Sequence, residues 1–264
     1  MCRWVAYAGK AIYLDEILFH PENSIVRQSL SAKQSPQPTN GDGFGVAWYG
    51  LPKTPGLYKD TLPAWNDSNL KSLAAHIRTR LFFSHVRASS GTAITRTNCH
   101  PFTFQNWSFM HNGQIGNWPV CRKLFESHIS PKFYPYREGS TDSEAFFLVA
   151  LSLGLQKDPI LAITSTIQLI LKIMKKNKVK EPFRSCMAIS DGKKIWAFRY
   201  SSDHQSPSLY YGTPSIPASH LALQTINTIA SEPLDAHRSH WHKIEEGSAL
   251  MWSKGVIKKI KLNV

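Results

Sequence analysis

Cys2 constrains this chain more than any other residue. If the initiator Met1 is trimmed, Cys2 becomes the first residue and carries a thiol and a free α-amino group together. An α-amino group titrates near about 7.7–8.0 and a thiol near about 8.5, so close to neutrality the amine can take the thiol proton; a lysine amine, at about 10.4, could not do so unaided. The thiolate is the form that attacks a carbonyl. A second residue taken alone is arbitrary, and the weight of Cys2 comes from the segments that follow.

Those segments are Asn40-Gly41-Asp42-Gly43-Phe44-Gly45, Ser84 to Gly91 (Ser-His-Val-Arg-Ala-Ser-Ser-Gly), Asn98-Cys99-His100-Pro101-Phe102, Met110-His111-Asn112-Gly113-Gln114 and Gly139-Ser140-Thr141-Asp142-Ser143-Glu144. Residues 79–87 are rich in β-formers and end in a Ser/Gly cluster, so Arg87 is expected at a strand end facing a loop. An arginine there offers a rigid fork for a carboxylate, or else an ordinary surface ion pair. Asn112-Gly113 follows a strand-like run, 107–111, and is a turn signal in its own right. Thr141 and Glu144 stand in capping-box spacing ahead of an apolar run, which makes Thr141 the expected N-cap and Asp142 the first helical residue, where a carboxylate complements the helix dipole.

In this order, and together with Met1-Cys2-Arg3, the motifs resemble the class II glutamine amidotransferases of the N-terminal nucleophile hydrolase superfamily, closely over roughly the first 150 residues. The resemblance implies an α+β fold, a four-layer αββα sandwich of two antiparallel sheets between helical layers. It implies Cys2 as nucleophile, with the Asn112 side-chain amide and the Gly113 N–H as oxyanion hole. Arg87 would hold the α-carboxylate of glutamine, Ser90 would stand at a substrate-contacting threonine position, and Asp142 would bind the α-ammonium. Opposite charges on the two ends of an amino-acid head make the scissile bond a γ-glutamyl amide. Ala88 stands where the best-known synthases of the family carry a tryptophan. No cofactor and no metal are implied. The chain looks most like the stand-alone members, some of which cleave γ-glutamyl peptides or amides, so it is expected either to act alone or to feed a separate ammonia-accepting protein. Thr228 to Leu234 (Thr-Ile-Ala-Ser-Glu-Pro-Leu) resembles a segment of that group, with no role assigned by its chemistry.

Composition narrows the field. With 264 residues, 42% hydrophobic and 19% charged, the chain can bury one substantial core, and residues 1–264 are expected to form a single domain with its chemistry within 2–144. No export signal or apolar span is legible, and four cysteines without close pairing suit reduced thiols; the expected location is the cytoplasm. Cys99, Cys121 and Cys186 read as small apolar fillers. The net charge of +13 is spread over both halves of the chain and carries no recognition motif, so nucleic-acid binding is not the expected function. The lysines at 172–180 read as a solvated helix end and those at 254–261 as guards of an edge strand. His237, His240 and His242 have a spacing that could ligate zinc but lie in a polar loop without the partners that a zinc motif brings, and His85, His100 and His111 read as scaffold hydrogen-bonders. Two other classes stay open at this point: a catalytically silent homologue serving as a regulatory binding module, and a basic RNA-associated protein.

For the rest, strands are expected at 3–8, 43–49, 79–88, 107–111, 185–190, 194–200, 225–231 and 248–262, and helices at 14–20, 142–155 and 159–176. Residues 31–41, 50–69 and 201–220 read as long loops. Asp158-Pro159 reads as an N-cap followed by proline, and Lys254-Gly255 as a hairpin turn.

Overall fold

The computed structural model describes residues 2–34, 38–89, 91–215 and 228–264. In chain order the elements are β1 (Arg3–Tyr13), α1 (Asp15–Leu18), α2 (Ile25–Leu30), β2 (Phe44–Trp48), β3 (Gly56–Asp60), α3 (Ser68–His76), β4 (Arg78–Val86), β5 (Phe102–Phe104), β6 (Trp107–Gln114), α4 (Trp118–Glu126), α5 (Asp142–Ser152), α6 (Pro159–Lys176), β7 (Arg184–Ser190), β8 (Lys194–Ser201), β9 (Tyr210–Gly212), β10 (Thr228–Ala230), β11 (Trp241–Lys243), β12 (Ser248–Ser253) and β13 (Val256–Lys261). One antiparallel sheet runs β11-β9-β10-β1-β4-β2-β3, the other β13-β12-β8-β7-β6-β5.

The layering follows from the two-residue period of the strands. On β1, Val5 and Tyr7 pack with Phe82, Phe44 and the residues of α1 to α3, whereas Trp4, Ala6 and Ala8 face the other way, onto Met110, Cys186, Ala188 and Ala197 of the second sheet. The alanines let the two sheets approach. On the far side, Phe109, Met187, Ile189 and Phe198 meet α4, α5 and α6. The result is the expected α+β sandwich, with two antiparallel sheets between helical layers. Helix α5 is buried from Ser143 to Leu151, which accounts for its nearly unbroken apolar sequence. No helix among the described residues is long and apolar enough to cross a membrane.

Several local signals hold. The Thr141 hydroxyl caps α5 by accepting from the Glu144 N–H at 3.2 Å, and Asp158 caps α6 with Pro159 at its first position. Lys254 and Gly255 turn between β12 and β13 with φ of 50° and 80°, and β13 is an edge strand carrying exposed Lys258, Lys259 and Lys261. Cys99, Cys121 and Cys186 are fully buried.

Other expectations are corrected. Asn112-Gly113 is no turn: β6 runs through it, with Asn112 paired to Cys186 and Gly113 to Ser185, because ladder pairing with β7 overrides a two-residue preference. The supposed loop at 50–69 contains β3 and the start of α3, and α2 and α4 were not foreseen. Short elements carry too few periods to show against their neighbours. The helix expected at 14–20 shrinks to α1, and the loop at 201–220 contains β9, with 216–220 outside the described residues. Of the strand expected at 225–231, residues 228–230 form β10 and 225–227 lie outside the described residues.

Candidate active site

Strand pairing assembles the site. Arg3 pairs with Val86 and Trp4 with His85, so the residue before β1 and the residues after β4 come together at one end of the first sheet. There the Ala88 N–H donates to the Cys2 Sγ at 3.4 Å, and the thiol lies 3.6 Å from the Ala88 carbonyl. From the second sheet β6 brings Asn112 and Gly113, and the N-terminus of α5 brings Asp142. Cys2, Arg87, Asn112, Gly113 and Asp142 line a single cleft of about 520 Å³. Ser90 lies outside the described residues, as does Met1.

Burial pushes the Cys2 thiol above its ordinary range; the Ala88 N–H and the charges of Arg87 and Arg3 pull the other way. Arg87 is 3% exposed, and its guanidinium donates to the Ser89 hydroxyl at 3.2 Å, the Thr92 hydroxyl at 2.7 Å and the Asp42 carbonyl at 3.3 Å. Among the described residues no carboxylate pairs with it. A buried cation held only by neutral oxygens suits an anionic ligand.

Asn112 is 1% exposed, and both polar atoms of its amide are buried without a partner among the described residues. Such a group is costly unless something comes to it. Gly113 has a steric cause: a Cβ there would stand 2.0 Å from the Arg184 carbonyl oxygen. Asp142 accepts from the Ile115 N–H at 2.8 Å and the Ser143 hydroxyl at 3.2 Å, which aligns its carboxylate at the helix start.

Three buried histidines gather at the cleft, His100 and His111 lining it and His85 behind them. His85 approaches the His111 carbonyl at 3.3 Å, His111 Nδ1 the Ser143 hydroxyl at 2.8 Å, and the His100 ring lies tilted by 31° against that of His85 with centroids 4.2 Å apart. Burial lowers all three pKa values, that of His85 to about 3, which keeps the rings neutral near pH 7. Among the described residues no three His, Cys, Asp or Glu side chains are gathered as a metal would require.

Sequence reasoning did not find every lining residue. Trp118, Glu181 and Arg184 also face the cleft, from the start of α4 and the approach to β7, and nothing in their local sequence marks them. Ser89 and Thr92, which hold Arg87, were within reach, since both belong to the hydroxyl-rich run Ser89-Ser90-Gly91-Thr92.

Comparison with known proteins bears on the family and the fold. The family model described as "Glutamine amidotransferases class-II" matches residues 22–263. A Saccharomyces cerevisiae protein described as "Probable glutamine amidotransferase DUG3" is 33% identical over 97% of this chain and 83% of its own length. A gamma-glutamyl-hercynylcysteine sulfoxide hydrolase of Mycolicibacterium smegmatis is 26% identical over 44% of this chain and 52% of its own. Among solved structures, a glutamine aminotransferase class-II domain protein from Silicibacter pomeroyi superposes with a TM-score of 0.75 at 35% identity, covering 99% of each chain. The glutamine phosphoribosylpyrophosphate amidotransferase of B. subtilis shares the fold, with a TM-score of 0.65 at 14% identity over 50% of that chain.

Proposed function

The chain belongs to the class-II glutamine amidotransferases, and from that premise we propose that it hydrolyses the γ-glutamyl amide of glutamine or a related γ-glutamyl compound through a thioester on Cys2. The free amine of a trimmed Cys2 takes the thiol proton, and the thiolate attacks the γ-carbonyl carbon. The oxyanion is held by the Asn112 amide and the Gly113 N–H, as donors aimed at developing charge. The C–N bond then breaks, the proton passes to the leaving nitrogen, and ammonia or an amine departs. Water opens the thioester, releasing glutamate and restoring the thiol. Arg87 and Asp142 hold the α-carboxylate and α-ammonium, and Ser90 is assigned a hydroxyl contact to the head group. The observation that supports this reading is the company Cys2 keeps: among the described residues, a buried guanidinium that pairs with no carboxylate and a buried amide that has no partner share one cleft with the thiol.

The reading takes residues 1–264 as one type-2 amidotransferase domain, working in the cytoplasm with free thiols. Ammonia, where it is the product, would pass to a separate acceptor protein. The M. smegmatis relative, named for a γ-glutamyl substrate, supports the wider substrate class.

The test is a panel of γ-glutamyl compounds, glutamine included, assayed for glutamate release with protein whose intact mass shows that it begins at Cys2. Release from at least one compound is expected, together with near loss of rate in a preparation that retains Met1, whose residue 2 has only an amide nitrogen. Equal rates from the two preparations would assign the base elsewhere and reject the mechanism.

A further inference from the structure

The segment Thr228 to Leu234 has a resemblance and no role, and the structure places it against the start of the chain. Ser231 and Trp4 exchange hydrogen bonds: the Trp4 N–H donates to the Ser231 hydroxyl at 3.1 Å and the Ser231 N–H to the Trp4 carbonyl at 3.0 Å. The next residue, Glu232, meets Arg3 in an ion pair of 2.6 Å with both side chains 1% exposed. From the same guanidinium, Nη1 donates to the Cys2 carbonyl at 2.9 Å. The Glu232 carboxylate also accepts from the N–H groups of Lys33 and Gln34, at 3.0 and 2.8 Å.

We propose that Glu232 is a positioning residue for the nucleophile: it fixes the Arg3 guanidinium, which grips the Cys2 carbonyl and so sets where the thiol and the nitrogen of residue 2 point. The inference rests on Cys2 being the nucleophile. A buried ion pair is a poor account of stability by itself, because well-packed apolar residues in its place are often neutral or better. What apolar residues could not supply is a donor to the Cys2 carbonyl. Cys2 precedes the first paired residue of β1, so the ladder holds it less firmly than Arg3 or Trp4. Thiol and nitrogen stand on one residue, so a rotation of that residue moves nucleophile and base together. Misplacement of reacting groups by about 1 Å can cost on the order of a hundred-fold in rate.

Glu232→Gln keeps the size of the side chain and one of its two acceptor oxygens while removing the charge. Arg3→Met with Glu232→Leu replaces the pair by apolar groups, a second route to a folded protein should the first fail. Both are compared with the unaltered enzyme by thermal unfolding, by kcat and KM for glutamate release, and by the pH profile of Cys2 alkylation with iodoacetamide followed by mass spectrometry. A folded variant is expected to lose at least about ten-fold in kcat with KM little changed, and to show a displaced alkylation profile. A folded variant with unaltered kcat and an unmoved profile, or with a loss carried by KM alone, overturns the proposal. If the unaltered protein releases glutamate from no compound, the hydrolase reading fails, while the alkylation profile still decides the role of Glu232.

Discussion

The Ala88 N–H donates to the Cys2 Sγ at 3.4 Å, tying the thiol to the residue that follows Arg87. The contact follows directly from the antiparallel register of β1 and β4, in which Arg3 lies opposite Val86. It also matters electrostatically. Burial raises the cost of a thiolate at Cys2, and an N–H pointing at sulfur, with the charges of Arg87 and Arg3, recovers part of it. A carboxylate bound to Arg87 would neutralise some of that help, which is why the proposed mechanism gives the thiol proton to the amine of residue 2.

Cys2→Ala is expected to abolish covalent labelling by diazo-oxo-norleucine, a glutamine-like electrophile. Cys99, Cys121 and Cys186 are buried, with thiols that burial pushes above their ordinary range, so they are poor nucleophiles. Peptide mass spectrometry reads the labelled position. A label at any of the three other cysteines would refute the assignment of the nucleophile.

Arg87→Lys should raise KM for glutamine more than it lowers kcat, because a point charge keeps the attraction but loses the two-pronged fork. Asp142→Asn should act in the same direction through the ammonium. Steady-state kinetics on glutamine and on a des-amino analogue checks the pair. If KM moves in neither variant, the head group binds elsewhere.

Asn112→Ala removes an amide that is buried without a partner among the described residues and, on the proposed mechanism, takes away a donor to the oxyanion. Loss of one such donor costs about 2.7–4 kcal/mol of transition-state stabilisation, a fall of about 10² to 10³ in kcat. Thermal stability should stay close to that of the unaltered protein or rise. A folded variant with undiminished kcat would remove Asn112 from the oxyanion hole.

The neutral histidines at the cleft set an acid limit. His85 has a folded pKa of about 3 against about 6.5 when unfolded, so between those values the unfolded chain binds the extra proton. Its contribution is fully present above about pH 6.5 and is lost as pH falls through that window, by up to about 1.4 kcal/mol for each unit. His100 and His111, also lowered by burial, add in the same direction. His85→Gln, which retains an amide donor for the His111 carbonyl, should flatten the fall of the melting midpoint with acid. An unchanged slope would show that His85 does not titrate in unfolding.

Much of this protein is written in short-range signals. Thr141 and Glu144 three residues apart, Asp158 before Pro159 and the Lys254-Gly255 turn each act within one turn of helix or one hairpin, so the chain specifies them wherever they fold. The alternation of Val5 and Tyr7 with Trp4, Ala6 and Ala8 needs only the pleat of a strand to place helices on one side and a second sheet on the other. Tertiary structure alone decided the rest. Asn112-Gly113 carries a turn signal, yet it lies in β6 because pairing with Cys186 and Ser185 outweighs a two-residue preference. Glu181 and Arg184 reach the cleft because β7 pairs with β6, a partner far off in the sequence. Arg3 and Glu232 meet across 229 positions of sequence, because β10 lies beside β1 in the sheet. No spacing rule spans such a distance, since the partner of a strand edge is set by the packing of the whole chain.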